Sequence, residues 1–133
     1  MNPVITKYGP AIGRCMIALI FLLSGIGKIT GFQGTAAYMA SKGLPMAQWL
    51  LILTIIVEIG GAAMIVLGWK ARLGATALFL FMIPVTLVFH AFWAVPPDQQ
   101  TLQQIMFLKN VSMMGAMLYI MAYGSGSCSL DKK

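Results

Sequence analysis

Four apolar stretches, each about the length of a membrane-crossing helix, constrain the fold of this chain more than any other feature. One span needs about 20 residues, so four use roughly 80 and leave only ends and short connections. Of the 133 residues, 59% are apolar and only 9% are charged, whereas charged residues typically make up about 25% of a soluble domain. The sequence therefore predicts an integral membrane protein with no room for a water-soluble catalytic domain.

The predicted architecture is all-α, a single domain over residues 1–133 built as a bundle of four transmembrane helices. The helices are expected over about 11–28, 46–69, 73–93 and 104–123. Pro10 suits the first turn of the first helix because it has no N–H to leave unpaired. Between the first two helices, residues 33–42 are too short and too polar to span, so they are expected to lie at the membrane interface. The segment Gly124–Cys128 is expected to be flexible.

The basic residues predict an orientation rather than a nucleic-acid partner. The chain carries 9 Lys and Arg against 3 Asp and Glu, and the basic residues are scattered singly without a stripe that would follow phosphates. The side with both termini carries six of them, Lys7, Arg14, Lys70, Arg72, Lys132 and Lys133, and the other side carries three, Lys28, Lys42 and Lys109. By the positive-inside rule, both termini are expected in the cytoplasm.

Ionisable residues inside the spans form the candidate site, because a charge in lipid is costly and usually marks a function. The candidate set, a ligand-binding or buried polar network, is Arg14, Lys28, Glu58, His90, Lys109 and Asn110. Glu58 lies near the middle of the second span and is expected to face the bundle and pair with Lys28 or Lys109. All four helices then contribute to one polar layer.

Helical spacing supports inward-facing positions for this layer. One face of the first helix carries Arg14, Ala18, Phe21, Gly25 and Lys28. The expected walls of a pocket are Phe21, Phe89, Phe92 and Trp93. Three interpretations of the layer stay open: a structural ion-pair network, a ligand or quinone pocket, and a path for protons or ions.

Metal and nucleophile chemistry have no signature in the sequence. His90 has no second His or Cys at i+3 or i+4, and the row of methionines in the fourth helix is typical of packing. Cys15 and Cys128 are far apart and form no CxxC pair. No catalytic residue and no metal site are predicted, and an enzymatic activity of the chain by itself is not favoured.

Several segments, in this order and spacing, resemble a known family. They are Arg14, Phe21 to Lys28, Gly34 to Met39, Gly43 to Pro45, Glu58 to Gly61, Gly68, Arg72, Phe89, His90, Phe107 to Asn110, and Gly115. The chain is similar in these positions to the DoxX family of small bacterial membrane proteins. The resemblance implies a four-helix, multi-pass protein of the bacterial inner membrane.

The resemblance also implies a field of activity. The family takes its name from a subunit linked to quinol oxidation and thiosulfate:quinone oxidoreduction. The expectation is a non-catalytic subunit or anchor in quinone-linked redox or oxidative-stress metabolism, with quinone as the candidate ligand. A redox enzyme or a second copy of the chain is the expected partner in the lipid bilayer. The alternative is a transporter that moves a small molecule or an ion through the same polar layer.

Overall fold

The computed structural model describes residues 1–132, and these residues form an all-helical chain. Five helices follow in order: α1 (Pro3–Thr30), α2 (Phe32–Ser41), α3 (Ala47–Leu67), α4 (Ala71–Phe89) and α5 (Pro97–Tyr123). A short 3-10 turn, Phe92–Ala94, connects α4 to α5. Four spans, based on α1, α3, α4 and α5, are long and apolar enough to cross a membrane. The four-helix prediction is therefore confirmed, while Lys133, counted above among the six cations, lies outside the described residues.

The four spans pack in chain order and leave one side of the bundle open. Helix α1 packs on α3, α3 on α4, and α4 on α5, whereas α1 and α5 make at most a marginal contact within residues 1–132. Glycines allow the closest approaches. A Cβ on Gly25 would lie 2.5 Å from the Ile59 side chain, and a Cβ on Gly61 would lie 2.9 Å from Leu78. The core therefore follows the order α1–α3–α4–α5, and a gap remains between the first and last of these helices, α1 and α5.

The surface of the bundle is apolar, as a lipid environment requires. The middle of the bundle buries Ala18, Ala62, Ile65, Leu78 and Met117. The exposed faces of the spans carry large apolar side chains, among them Leu19, Leu53, Leu80 and Leu108. Because each backbone hydrogen bond of a helix closes within the helix, such spans can present these side chains to lipid.

The first helix begins at Pro3 rather than near residue 11, so the prediction that Pro10 opens it is wrong. Pro3 occupies the first position of α1, and Pro10 lies inside the helix. A proline there cannot donate to the carbonyl four residues earlier, on Thr6. Ser127 Oγ lies 2.5 Å from the Lys7 carbonyl oxygen and 3.2 Å from the Thr6 carbonyl oxygen, so its single proton goes chiefly to Lys7. The C-terminal segment thus places a hydroxyl donor beside the turn of α1 that Pro10 interrupts.

The last helix also begins earlier than predicted, at Pro97 rather than near residue 104. Pro97 suits the first helical position, and Asp98 in the first turn is favoured by the helix dipole. The glutamine-rich stretch after them is therefore helical. The segment predicted as non-spanning forms α2, which packs on α3 through Ala36 and Met39.

Candidate functional site

A polar cavity of about 240 Å³ lies on the open side of the bundle, where α1 faces α5. Five of the six candidate residues line it: Lys28, Glu58, His90, Lys109 and Asn110. The apolar part of its wall includes Phe21, Phe81, Met82 and Met113. Each of the four spans therefore brings at least one polar side chain to the same cavity.

Glu58 pairs with Lys28 across α1 and α3. Glu58 Oε1 lies 2.9 Å from Lys28 Nζ, and the side chains are 4% and 25% exposed, respectively. Lys28 Nζ also donates to Ser24 Oγ at 2.6 Å. Gly25 lies one turn before Lys28 and lets α1 approach α3 closely at Ile59. Of the two lysines left open by the sequence, the geometry selects Lys28.

The second carboxylate oxygen of Glu58 has no partner in the part of the chain that the structure describes. Glu58 Oε2 is buried and, among residues 1–132, makes no hydrogen bond. A buried acceptor without a donor costs roughly 1–3 kcal/mol, and more when it is charged. Native proteins rarely leave such an atom without a water or a ligand. The cavity therefore offers an acceptor that a bound donor can satisfy.

The other polar residues of the cavity differ in how firmly they are held. Asn110 Nδ2 donates to Thr86 Oγ1 at 3.0 Å, and both side chains are buried. His90 Nδ1 lies 2.9 Å from Gln103 Oε1, which leaves Nε2 as the acceptor of the neutral ring. Lys109 makes neither an ion pair nor a side-chain hydrogen bond within residues 1–132. Lys109 is thus the one lysine of the cavity with its donors uncommitted to the described chain.

Sequence reasoning missed two side chains that hold this layer. Ser24 precedes Lys28 by four residues, and this spacing on a helix was a usable signal. Gln103, the partner of His90, lay outside the predicted span because the start of α5 was placed too late. A proline at the first position followed by an acidic residue was the signal for that earlier start.

The predicted aromatic wall is wrong for three of its four residues. Phe21 lines the cavity, but Phe89 packs on Tyr38 with ring centroids 5.6 Å apart. Phe92 and Trp93 pack instead on the ring of Phe107. For Phe92 and Trp93 the reason is that α4 ends at Phe89, so these two residues do not continue the helical face that carries Thr86.

Arg14 lies apart from this cavity, near the middle of α1. Fourteen residues separate it from Lys28, which corresponds to about 21 Å along a helix. The Arg14 side chain is only 4% exposed. Its guanidinium donates to the backbone oxygens of Ile65, Ser125, Ser127 and Cys128. Arg14 is buried as its helical face predicted, but its partners are carbonyls rather than the polar layer.

The C-terminal segment is folded against the bundle, so the prediction of a flexible Gly124–Cys128 is wrong. Gly124 and Gly126 have φ values of 79° and 74°, a region that glycine adopts without strain, and they turn the chain back toward α1. A Cβ on Gly126 would lie 2.7 Å from Pro10, so this approach also needs glycine. The carbonyls that this turn presents are the ones that Arg14 holds.

The last described residues tie the C-terminal segment to the α3–α4 turn. Leu130 N donates to the Leu67 carbonyl at 3.1 Å, and the Asp131 carboxylate accepts from the backbone N–H groups of Lys70 and Ala71. Asp131 thus caps α4 from a distant part of the sequence. The Ala71 hydrogen bond, with smaller contributions from Lys70, Ser125 and the charge of Arg14, lowers the pKa of Asp131 below its usual value. The two chain ends and the α3–α4 turn therefore meet at one end of the bundle.

Comparison with known proteins gives one family and several relatives. The DoxX family model matches residues 9–91. Inner membrane protein YphA of Escherichia coli is 36% identical over 92% of this chain and 87% of its own length. Inner membrane protein YqjF of the same organism is 33% identical over 93% of this chain and 90% of its own length. Surfeit locus protein 4 homolog of Schizosaccharomyces pombe is 31% identical over 88% of this chain but only 35% of its own length. No solved structure matches the chain.

Proposed function

We propose that this chain, which belongs to the DoxX family and is a multi-pass inner-membrane protein, binds a quinol-type molecule in the polar cavity. It acts as a non-catalytic membrane subunit that holds this molecule for a redox enzyme. One observation carries the proposal: Glu58 lines the cavity, and its Oε2 is buried without a donor among residues 1–132. A quinol hydroxyl supplies that donor, whereas a quinone carbonyl is another acceptor.

The size and position of the cavity support a ring-shaped head with a lipophilic tail. About 240 Å³ is less than the roughly 300–1,000 Å³ of sites for drug-sized ligands, so the cavity holds one substituted ring and no long tail. The tail leaves through the gap between α1 and α5, which leads to lipid. Lys109 supplies a donor for a ring oxygen on the α5 side. The ring is then held between α1 and α5 while the tail stays in the membrane.

Electron transfer belongs to a partner in this proposal. Oxidation of a quinol needs an electron acceptor, and such chemistry is usually carried by a cofactor. The two cysteines of the chain, Cys15 and Cys128, are more than 100 residues apart in sequence, and in the structure both are free and exposed. The partner expected is therefore a quinone-linked redox enzyme of the same membrane.

The preference between quinol and quinone tests the proposal. Purified protein in mild detergent is titrated with a short-chain quinol and with the matching quinone, and binding is followed by tryptophan fluorescence. We expect the quinol to bind at least about tenfold more tightly, because a hydrogen bond to a charged group contributes roughly 1.5–3 kcal/mol. Glu58→Gln should remove this preference, and Lys109→Met should weaken binding of both forms. Asp98→Asn, which neutralises an exposed carboxylate outside the cavity, should change neither.

Three results would contradict quinol binding. The first is equal affinity of the wild-type protein for the two redox forms. The second is a folded Glu58→Gln variant that keeps the preference. The third is a Lys109→Met variant with unchanged affinity, which can be measured even where Glu58→Gln unfolds, because the Lys109 side chain is exposed and makes no hydrogen bond or ion pair within residues 1–132.

Both termini are proposed to face the cytoplasm. The end that carries them holds Lys7, Arg14, Lys70, Arg72 and Lys132 among the described residues, against three cations elsewhere, Lys28, Lys42 and Lys109. In a Cys15→Ser background, Cys128 should react with an impermeant maleimide only after the cells are permeabilised. Gln100→Cys, in a background without the two natural cysteines, should react in intact cells. The reverse pattern would overturn the orientation.

A second function, permeation of an ion or small molecule, is favoured by one observation. The polar cavity and a larger groove that reaches Arg14 both lie between α1 and α5, so they follow the same side of the bundle. Proteoliposomes that contain only the purified chain should then take up protons under an imposed potential, as read by a pH-sensitive dye. Glu58→Gln should abolish this uptake. Uptake that matches empty liposomes would remove this alternative.

A further inference from the structure

A basic cavity of about 490 Å³ lies at the end of the bundle that carries both termini, far from the Glu58 cavity. Three cations line it, Lys70, Arg72 and Lys132, together with the carboxylate of Asp131. Three positive charges against one negative charge leave two net positive charges. The Asp131 carboxylate is already bonded to the N–H groups at the start of α4. Among residues 1–132, the lining of the cavity therefore carries a net positive charge.

An apolar groove of about 610 Å³ borders this basic cavity and lies between α1 and α5. The cavity and the groove share four lining residues: Tyr123, Gly124, Ser125 and Gly126. Farther along, the groove is walled by Ile17, Ala116, Tyr119 and Ile120. A Cβ placed on Gly13, which also lines the groove, would meet no atom of the described residues within 4 Å. A charged cavity at the end of the bundle thus lies next to an apolar groove, along the same segment of the chain.

We propose that this composite site binds one anionic phospholipid, with its phosphate in the basic cavity and one acyl chain in the groove. Cations next to a span attract anionic headgroups, and the tyrosines at the junction are typical of the membrane interface. Gly124 contributes space, because a Cβ there would lie 3.3 Å from the Arg72 guanidinium. A free phosphate ion would occupy only the basic cavity. A zwitterionic lipid has no net negative charge to complement the positive charge of that cavity.

The bound lipid fills a gap that the protein itself leaves. Helices α1 and α5 make at most a marginal contact within residues 1–132, and the groove separates them near Ile17 and Ile120. An acyl chain in this position packs against both helices at once. The lipid therefore completes the bundle at the end where α1, α5 and the C-terminal segment meet, and this role is independent of what occupies the Glu58 cavity.

Lipid selectivity tests the headgroup half of the site. The protein is reconstituted in nanodiscs of equal parts phosphatidylglycerol and phosphatidylcholine, released into mild detergent, and its retained lipids are read by native mass spectrometry. We expect one retained lipid per chain, enriched in phosphatidylglycerol. Lys70→Gln and Arg72→Gln, both at exposed side chains, should each lower this enrichment roughly fivefold, the effect expected for one cation near a membrane surface. Lys7→Gln is the matched control, since it removes one charge at the same end but outside the cavity, and it should leave the enrichment unchanged.

Groove occupancy tests the acyl-chain half. Gly13→Leu places a side chain in the groove and improves helix propensity, so the protein should fold and lose most of its retained lipid. Gly27→Leu is the matched control on α1, because a Cβ there also meets no atom within 4 Å but the site does not line the groove. An unenriched lipid population, or equal losses in Gly13→Leu and Gly27→Leu, would overturn the proposal. Displacement of the lipid by millimolar inorganic phosphate would overturn it as well, because it would show a site for the free anion.

Discussion

The two polar clusters of this protein bury charge among the same helices but satisfy it differently. In the Arg14 cluster, the guanidinium donates to the carbonyls of Ile65, Ser125, Ser127 and Cys128. In the Glu58 cluster, which is the set of residues lining the 240 Å³ cavity, Lys28 binds one carboxylate oxygen and leaves the other without a donor among residues 1–132. A cluster whose members satisfy one another rigidifies a fold. A cluster in which one polar atom lacks a hydrogen-bond partner can bind a ligand that supplies the donor.

The difference follows from the chemistry of the two cations. Arginine presents five N–H donors in a rigid fork, so one side chain can hold several carbonyls that converge on it. Lysine is a compact charge on a flexible stem, and Lys28 remains 25% exposed beside a cavity. Arg14 therefore closes its end of the bundle, whereas Lys28 leaves the other end open to a ligand.

The largest effect is expected from Arg14→Met, which tests whether the Arg14 cluster is structural. The change removes four hydrogen bonds from a charged donor, including a buried one to the Ser125 carbonyl. We expect the free energy of unfolding to fall by at least about 3 kcal/mol, measured by thermal and denaturant unfolding in detergent. Arg14→Lys should recover only part of this loss, because one ammonium group cannot reach all four carbonyls.

Lys7→Met is the control for Arg14→Met, since it removes an exposed cation at the same end and outside the basic cavity. It should change stability by less than about 0.5 kcal/mol. If Arg14→Met is no more destabilising than Lys7→Met, the Arg14 cluster does not hold the fold and the contrast between the two clusters disappears.

The next effect concerns the Glu58–Lys28 pair. Glu58→Gln should lower the free energy of unfolding by about 2 kcal/mol. This is less than the roughly 3–5 kcal/mol expected for a fully buried pair, because the Lys28 side chain is only partly buried. Adding Lys28→Met to Glu58→Gln should cost less than the sum of the single changes, with a coupling of at least about 1 kcal/mol. Lys109→Met is the control lysine change, and its cost should add to that of Glu58→Gln within about 0.5 kcal/mol. Equal coupling for both lysines, or none for Lys28, would contradict the pairing.

The sequence predicted the ionisable members of the Glu58 layer because their signals are local. An ionisable residue inside an apolar span stands out by composition, and helical spacing places Glu58 and Lys28 toward the bundle. The choice between Lys28 and Lys109 depended on how closely two helices approach at Gly25 and Ile59. That distance is a property of packing, which residue type alone does not specify.

The sequence was insufficient for the Arg14 cluster because its partners are distant and mostly backbone. A carbonyl oxygen is present in every residue, so no residue type marks Ser125 or Cys128 as a partner of Arg14. Pro10 fits a helix start by its local rule, and the Ser127 hydroxyl that donates to the carbonyls of the preceding turn comes from the other end of the chain. The cap of α4 is equally remote: Lys70 occupies the usual capping position, and Asp131 supplies the carboxylate.

The smallest effect is expected at Asp131, which extends the Arg14 cluster to the start of α4. Its pKa is lowered in the folded protein, so the folded state favours the charged carboxylate. The charged Asp131 carboxylate therefore contributes its full stabilisation of the fold at pH values above the usual pKa of about 3.8. This stabilisation is lost as the pH falls from there through the lowered pKa of the folded state. Asp131→Asn should be less stable than the wild type at neutral pH, by less than Arg14→Met, because the carboxylate is at the surface and the other bonds of the C-terminal segment remain.

The pH dependence distinguishes this cap from a general effect of one lost charge. Unfolding midpoints in detergent, measured from pH 6 to pH 2, should show the gap between wild type and Asp131→Asn closing as Asp131 takes up its proton. Asp98→Asn removes an exposed carboxylate at the start of α5, away from the C-terminal segment, and serves as the control. A gap that persists at pH 2, or a control that reproduces the closing gap, would show that the Asp131 carboxylate does not cap α4. In that case the C-terminal segment is held by Arg14 and by its other hydrogen bonds to α1 and the α3–α4 turn, and the Arg14 cluster does not extend to the start of α4.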